Sequence, residues 1–160
     1  MDVYRVVLDI AGLKVYDVGM KITNRQKGRY NDVEIFMDNI RKELNCSFLP
    51  RKGATYVCFD MESARHWYTK IDASQKLNYF VYKLKIEGCI QWHDSRFYEN
   101  VFSMYSSNKE SCPVMLRYYA FQYWLSSPKH DLIYTEGLFW GNAVVLERKH
   151  YNFMHEEIKP

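Results

Sequence analysis

Arg5 lies inside Val3-Tyr4-Arg5-Val6-Val7-Leu8, an apolar run of strand length. A guanidinium there is always charged, and burying it is costly unless an anion or an acid partner meets it. Side chains alternate along a strand, so Arg5 shares a face with Val3 and Val7. Towards the other end of the chain, Glu136 ends Leu132-Ile133-Tyr134-Thr135-Glu136 beside Gly137, where the backbone can bend and expose the carboxylate. The chemistry in view is an anion-binding cation and an accessible carboxylate. The plainer alternative is an edge arginine that snorkels to water and a glutamate in a turn.

Other chemistries lack their residues. There is no Gly-x-Gly-x-x-Gly, no phosphate loop ending in Lys-Ser/Thr and no Gly-x-Ser-x-Gly. Cys46, Cys58, Cys89 and Cys112 form no Cys-x-x-Cys pair, and His150 and His155 are not spaced for one helical face, so no metal is expected. Cys58 and Cys89 read as small core residues. The chain of 160 residues carries 22 basic and 19 acidic side chains, a net charge of +3. Its basic groups, Arg25, Lys27, Arg29, Arg41, Lys42, Arg51, Lys52, Arg148 and Lys149, are scattered, without the clustered footprint of an electrostatic nucleic-acid binder. No run of 18 apolar residues spans a bilayer, and Met1–Arg5 lacks signal-peptide character, so a cytoplasmic protein of one domain over residues 1–160 is expected.

The elements that must position these residues alternate between strands and helices. Val3–Leu8 reads as a buried first strand, and Met20–Tyr30 as an exposed loop. Asn31 offers an N-cap with Glu34 in capping-box register, opening a helix over 32–44 that Asn45 can close in a left-handed conformation. A connector at 48–53 precedes a second strand, Thr55–Phe59, and Asp60 caps a helix over Met61–Lys70 with Ala64, Trp67 and Tyr68 on one face. After a polar break at 72–76, Asn78–Ile86 alternates, with Phe80, Tyr82, Leu84 and Ile86 inward and Tyr79, Lys83 and Lys85 mostly outward; Gly88 leads to a short strand, Cys89–Trp92. Asp94 can cap a helix carrying Phe97, Val101 and Met104, and a polar loop follows at 106–111. Pro113 opens a helix to Leu125 that Ser126-Ser127-Pro128 stops. Two last strands, Leu132–Glu136 and Ala143–Glu147, flank Gly137–Gly141.

The order of these landmarks resembles a family. Tyr4-Arg5, Pro50-Arg51 before Tyr56-Val57-Cys58-Phe59, the helix with Ala64 and Trp67, Tyr79–Tyr82, Ala120-x-x-Tyr123-Trp124, and Glu136-Gly137-Leu138-x-x-Gly141 before Val144–Leu146 together look like a small, divergent ADP-ribosyltransferase domain of bacterial and phage toxin-like proteins. The resemblance implies an α+β fold: a split, twisted, mostly antiparallel sheet with flanking helices, opening into an NAD-binding cleft. It implies that Arg5 meets the nicotinamide-side phosphate or ribose, and that Glu136 bonds the ribose hydroxyl and stabilises an oxocarbenium-like transition state. Physical chemistry suits both roles, since arginine offers phosphate a planar fork and a carboxylate near developing positive charge lowers the barrier. Thr55 is assigned the hydroxyl of the middle motif, with Tyr56 the other near match; Arg51 is either a pyrophosphate ligand or solvated. Tyr68, Tyr123 and Trp124 are candidate rings against NAD, each with a core role as the alternative.

Members that modify arginine usually carry an acid two residues before the catalytic glutamate, where this chain has Tyr134. Tyr134 could stack on a base or a ring-bearing acceptor. The implied activity is transfer of ADP-ribose to a macromolecular acceptor, protein or nucleic acid, in the cytoplasm, or the host cytoplasm of a phage-encoded protein, with an antitoxin or host factor as a partner and no membrane. The second reading is a non-catalytic protein of the same fold that binds and inhibits a host factor. The 14 Tyr, 9 Phe and 4 Trp divide accordingly. Phe36, Phe59, Phe80, Tyr82 and Tyr119 are assigned to packing, and Tyr68, Tyr123, Trp124, Tyr134, Phe139 and Trp140 to the neighbourhood of the ligand.

Overall fold

Long β-branched and aromatic runs at 79–94 and 135–151 make two strands that pair antiparallel along their whole length and form the spine of the fold. The computed structural model describes residues 1–23, 32–45, 47–71, 76–107, 112–125 and 132–159. The Asn31 cap, Cys46, Arg25, Lys27, Arg29, the Ser126-Ser127-Pro128 stop and most of the three polar loops lie outside the described residues.

In chain order the elements are β1 (Asp2–Leu8), β2 (Lys21–Thr23), α1 (Asp32–Glu43), β3 (Thr55–Val57), α2 (Met61–Ile71), β4 (Tyr79–Asp94), α3 (Ser95–Ser106), α4 (Pro113–Leu125) and β5 (Thr135–Tyr151), with a 3-10 turn at Leu132–Tyr134. The fold is α+β, with an open antiparallel sheet and four α-helices among the described residues. β1 pairs with the first half of β4, from Asp2 opposite Lys85 to Leu8 opposite Tyr79. β3 pairs with the first half of β5, and β2 with Asn142–Val144 of β5.

The caps follow the sequence. Asp60 accepts from the Ser63 amide at 2.7 Å, and Asp94 from the Arg96 amide at 3.0 Å. Asn45 takes φ +49° where α1 ends.

Two pairs of short strands expected from the sequence are instead single strands. Gly88 and Gly141, which read as breaks, face each other in the β4–β5 ladder with φ of +153° and +143°. A Cβ on Gly88 would sit 2.2 Å from the Trp140 carbonyl oxygen, so glycine permits a close crossing rather than a turn. Leu132–Glu136 is mostly the 3-10 turn, and Glu136 begins β5 rather than ending a strand.

Three apolar clusters hold the layers together. Val3, Val57, Tyr82, Leu84, Phe139 and Val145 pack on one face of the sheet. Cys58, Ala64, Tyr68, Tyr79, Val81 and Tyr151 pack on the other, beneath α2. Met37, Ile40, Val101, Ala120, Tyr123 and Trp124 join α1, α3 and α4. The outward side expected for Tyr79 is therefore wrong: α2 covers that face, and Tyr79 stacks on Tyr68 with ring centroids 4.1 Å apart. No helix among the described residues is long and apolar enough to cross a membrane.

Candidate functional site

β1 meets the residue that follows β3 at one isolated bridge, Tyr4 opposite Cys58, closed by two backbone hydrogen bonds of 2.9 and 2.6 Å. No further pairing joins β1 and β3 among the described residues. A cleft of about 360 Å³ occupies the gap. Arg5 and Val6 of β1 line it on one side, Tyr56 of β3 on the other, Trp67 and Ile71 come from α2, Tyr98 from α3, and Arg51 and Glu136 close its base. Arg5 and Glu136, 131 positions apart in the chain, thus share one cavity.

The base is a buried ionic network. Arg51 is 4% exposed and Glu136 1% exposed. Arg51 Nη1 donates to Glu136 Oε1 and to the Tyr123 hydroxyl, and Tyr123 donates in turn to the same Oε1. Arg51 Nε reaches both oxygens of Glu34 at 3.3 and 3.2 Å, and Nη2 donates to the Tyr56 hydroxyl at 3.2 Å. The guanidinium lies 3.7 Å from the Tyr98 ring centroid, and Tyr98 donates to Glu34 at 2.7 Å. Burial alone would lower the Arg51 pKa; Glu136, with Tyr123, Tyr56 and Glu34, outweighs it and holds the guanidinium above the ordinary arginine value. Burial pushes the Tyr56 phenol up to about 12, against the opposing pull of Arg51, so it is a neutral donor at physiological pH.

Two of the residues that line the cleft carry a group without a hydrogen-bond or acid partner among the described residues. Glu136 Oε2 is buried and accepts no hydrogen bond. Arg5 has no acid partner among the described residues; burial lowers its pKa, opposed by Tyr16 and Tyr82. A carboxylate oxygen and a guanidinium held in this way are available to a ligand that supplies a donor and an anion.

Several expectations need correction. Glu136 is not turned out to solvent at a bend, because Arg51 and Tyr123 draw it inward. Arg51 is not a solvated loop residue. Thr55 is buried on the face of β3 opposite Tyr56, so Tyr56 and not Thr55 lines the cleft. Tyr68 donates to the Leu77 carbonyl at 2.9 Å and stacks within the core under α2, outside the cleft lining. Trp124 donates to the Met37 carbonyl at 2.9 Å within the helical cluster. Tyr123 belongs to the site through its hydroxyl, while its ring is buried against His93. Phe139 is core, and Tyr134 packs edge-on to His66 beneath Arg96. Phe59, assigned to packing, is exposed. The sequence does not mark Glu34 or Tyr98 as site residues; the capping-box spacing identifies Glu34 only as a capping residue.

His93 supports this network from β4, opposite Glu136 in the ladder. Its Nδ1–H donates to the Tyr123 carbonyl at 3.0 Å, which fixes the tautomer, and its ring stacks on Tyr123 at 4.6 Å. Burial pushes its pKa down to about 4, opposed by the Tyr123 carbonyl and aided by Arg51. The folded state therefore binds fewer protons than the unfolded state between about pH 6.5 and 4. Stability should fall as the pH drops through that window, by up to about 3 kcal/mol from this residue. Denaturant midpoints of wild type and His93→Gln across pH 4–7 test this: the wild type should lose stability more steeply, and parallel curves would contradict it.

No group of three or more His, Cys, Asp or Glu side chains that could hold a metal ion occurs among the described residues. A family match spans residues 16–153 and takes in every cleft residue named here except Arg5 and Val6. No curated protein matches the chain. By that match, which covers most of its length, the chain belongs to the family described as Protein of unknown function (DUF2441).

Proposed function

We propose that the protein is an NAD-dependent ADP-ribosyltransferase, with a sheet of the ADP-ribosyltransferase type, that transfers ADP-ribose to a protein or nucleic acid and releases nicotinamide. One observation carries the reading: Arg5 and Glu136 line the same cleft, each with hydrogen-bonding capacity that no described residue uses. The cleft volume falls within the range of small-molecule sites, about 300–1,000 Å³.

Arg5 takes a phosphate oxygen on the nicotinamide side. Glu136 Oε2 accepts from a hydroxyl of the adjoining ribose. As the bond from C1 of the ribose to the nicotinamide nitrogen breaks, its electron pair leaves with nicotinamide, and positive charge grows on the ribose beside the carboxylate. The acceptor then attacks C1 and gives its proton to solvent. Arg51 and Tyr123 are positioning residues: they hold Oε1 and leave Oε2 without an internal partner. Without an acceptor, water takes its place and NAD is hydrolysed slowly.

One observation favours the second reading, a non-catalytic protein that binds a host factor. Glu136 Oε1 is already engaged by Arg51 and Tyr123, as in a structural ion pair. Labelled NAD incubated with cell extract separates the two. Transfer of label to a macromolecule, then lost to protease or to nuclease, supports the enzyme and identifies the acceptor class. Absence of label together with absence of NAD binding at millimolar concentration would sink it.

A further inference from the structure

Trp67 occupies an unusual position on α2. Its ring lines the cleft, yet the indole Nε1–H is buried and has no hydrogen-bond partner among the described residues. Buried donors are nearly always paired, because an unmet one forfeits the hydrogen bond it made to water. Such an orphan beside a cavity calls for an acceptor from outside the chain.

The surroundings narrow what that acceptor is. Trp67 also borders a recess of about 40 Å³, next to the cleft, lined by Val6, Tyr56, Val57, Cys58, Ile71 and Glu136. The walls are mostly apolar, and burial raises the Cys58 thiol far above its ordinary range, so it stays neutral and inert. A volume of that size takes a group of a few heavy atoms, little more than one water. Among apolar walls, two of the lining residues carry a buried polar atom without a partner, one a donor, Trp67 Nε1, and one an acceptor, Glu136 Oε2. An uncharged, planar group with a carbonyl oxygen fits this pattern; a second anion does not, since Glu136 would repel it.

We propose that Trp67 is the specificity residue for the leaving group, donating its indole N–H to the carboxamide oxygen of nicotinamide, with the carboxamide at the recess and the pyridine ring in the larger cleft. This rests on the NAD reading above and adds how the ring is chosen. The bond orients the pyridine ring and discriminates against dinucleotides whose ring carries no carbonyl.

Trp67→Phe removes the N–H and keeps an aromatic ring. Free nicotinamide and free pyridine serve as probes, competing with NAD in the wild type and in the variant, with thermal melting as a check on the fold. Wild type should prefer nicotinamide over pyridine, and Trp67→Phe should weaken nicotinamide about tenfold while leaving pyridine unchanged. Should the substitution disturb packing, the wild type alone still answers with thionicotinamide, whose sulfur accepts poorly and which should bind weaker than nicotinamide. Equal nicotinamide binding by the two proteins, with NAD still bound, would overturn the role of Trp67 alone and leave water as the indole's partner. Failure of wild type to bind NAD at all would overturn the parent reading and this one with it.

Discussion

Glu136→Gln should slow nicotinamide release from NAD by about 10²–10³-fold, the usual cost of removing one preorganised electrostatic contact to a transition state. The amide keeps the shape of the side chain, and its oxygen can still accept from Arg51 and Tyr123. What disappears is the negative charge beside the ribose. NAD affinity should change far less, because the contact strengthens only as positive charge develops. Steady-state rates of nicotinamide release, with NAD binding measured separately, check this. A rate within threefold of wild type would remove Glu136 from the chemistry.

The second large effect falls on stability. Arg51→Met should destabilise the fold by about 3–5 kcal/mol, because it leaves the Glu136 carboxylate buried without its cation and removes the guanidinium that faces Glu34. A domain of this size has only about 5–15 kcal/mol in total. The double variant Arg51→Met/Glu136→Gln should recover part of the loss, since it removes the stranded charge. Denaturant unfolding of the wild type, both single variants and the double variant closes the cycle. Additive losses would show that the two residues do not depend on each other.

Much of the framework was legible in the chain because it is local. Asp60, Asp94 and Asn45 act within one turn of their own positions, and the period of apolar residues locates the helices they bound. The strand run at Val3–Leu8 likewise needs no distant partner to be recognised. Arg5 and Glu136 stood out because their types conflict with their surroundings, a charge in an apolar run and an acid beside a glycine.

The rest of the site depends on separations the sequence does not display. Arg51 sits in a polar connector, where solvation is the natural reading; it is buried because Glu34, 17 positions before it, and Glu136, 85 after it, converge on it. Thr55 and Tyr56 are adjacent, and only the orientation of β3 on β5 decides which one faces the cleft. Gly88 and Gly141 resemble strand breaks until the ladder sets them opposite each other. Nearness in sequence to the landmarks places Tyr68 and Trp124 beside the ligand. Packing of α2 on the sheet and of α4 on α1 claims those rings for the core, leaving Tyr56, Trp67 and Tyr98 in the cleft.

On the proposed reading Arg5 and Glu136 serve one NAD molecule in one cleft, and a crystal structure of the protein with NAD is the decisive measurement. A ribose hydroxyl is expected within hydrogen-bond distance of Glu136 Oε2, about 2.6–3.2 Å, and a phosphate on the Arg5 guanidinium. NAD bound elsewhere on the protein, or a cleft that stays empty at saturating NAD, would contradict it.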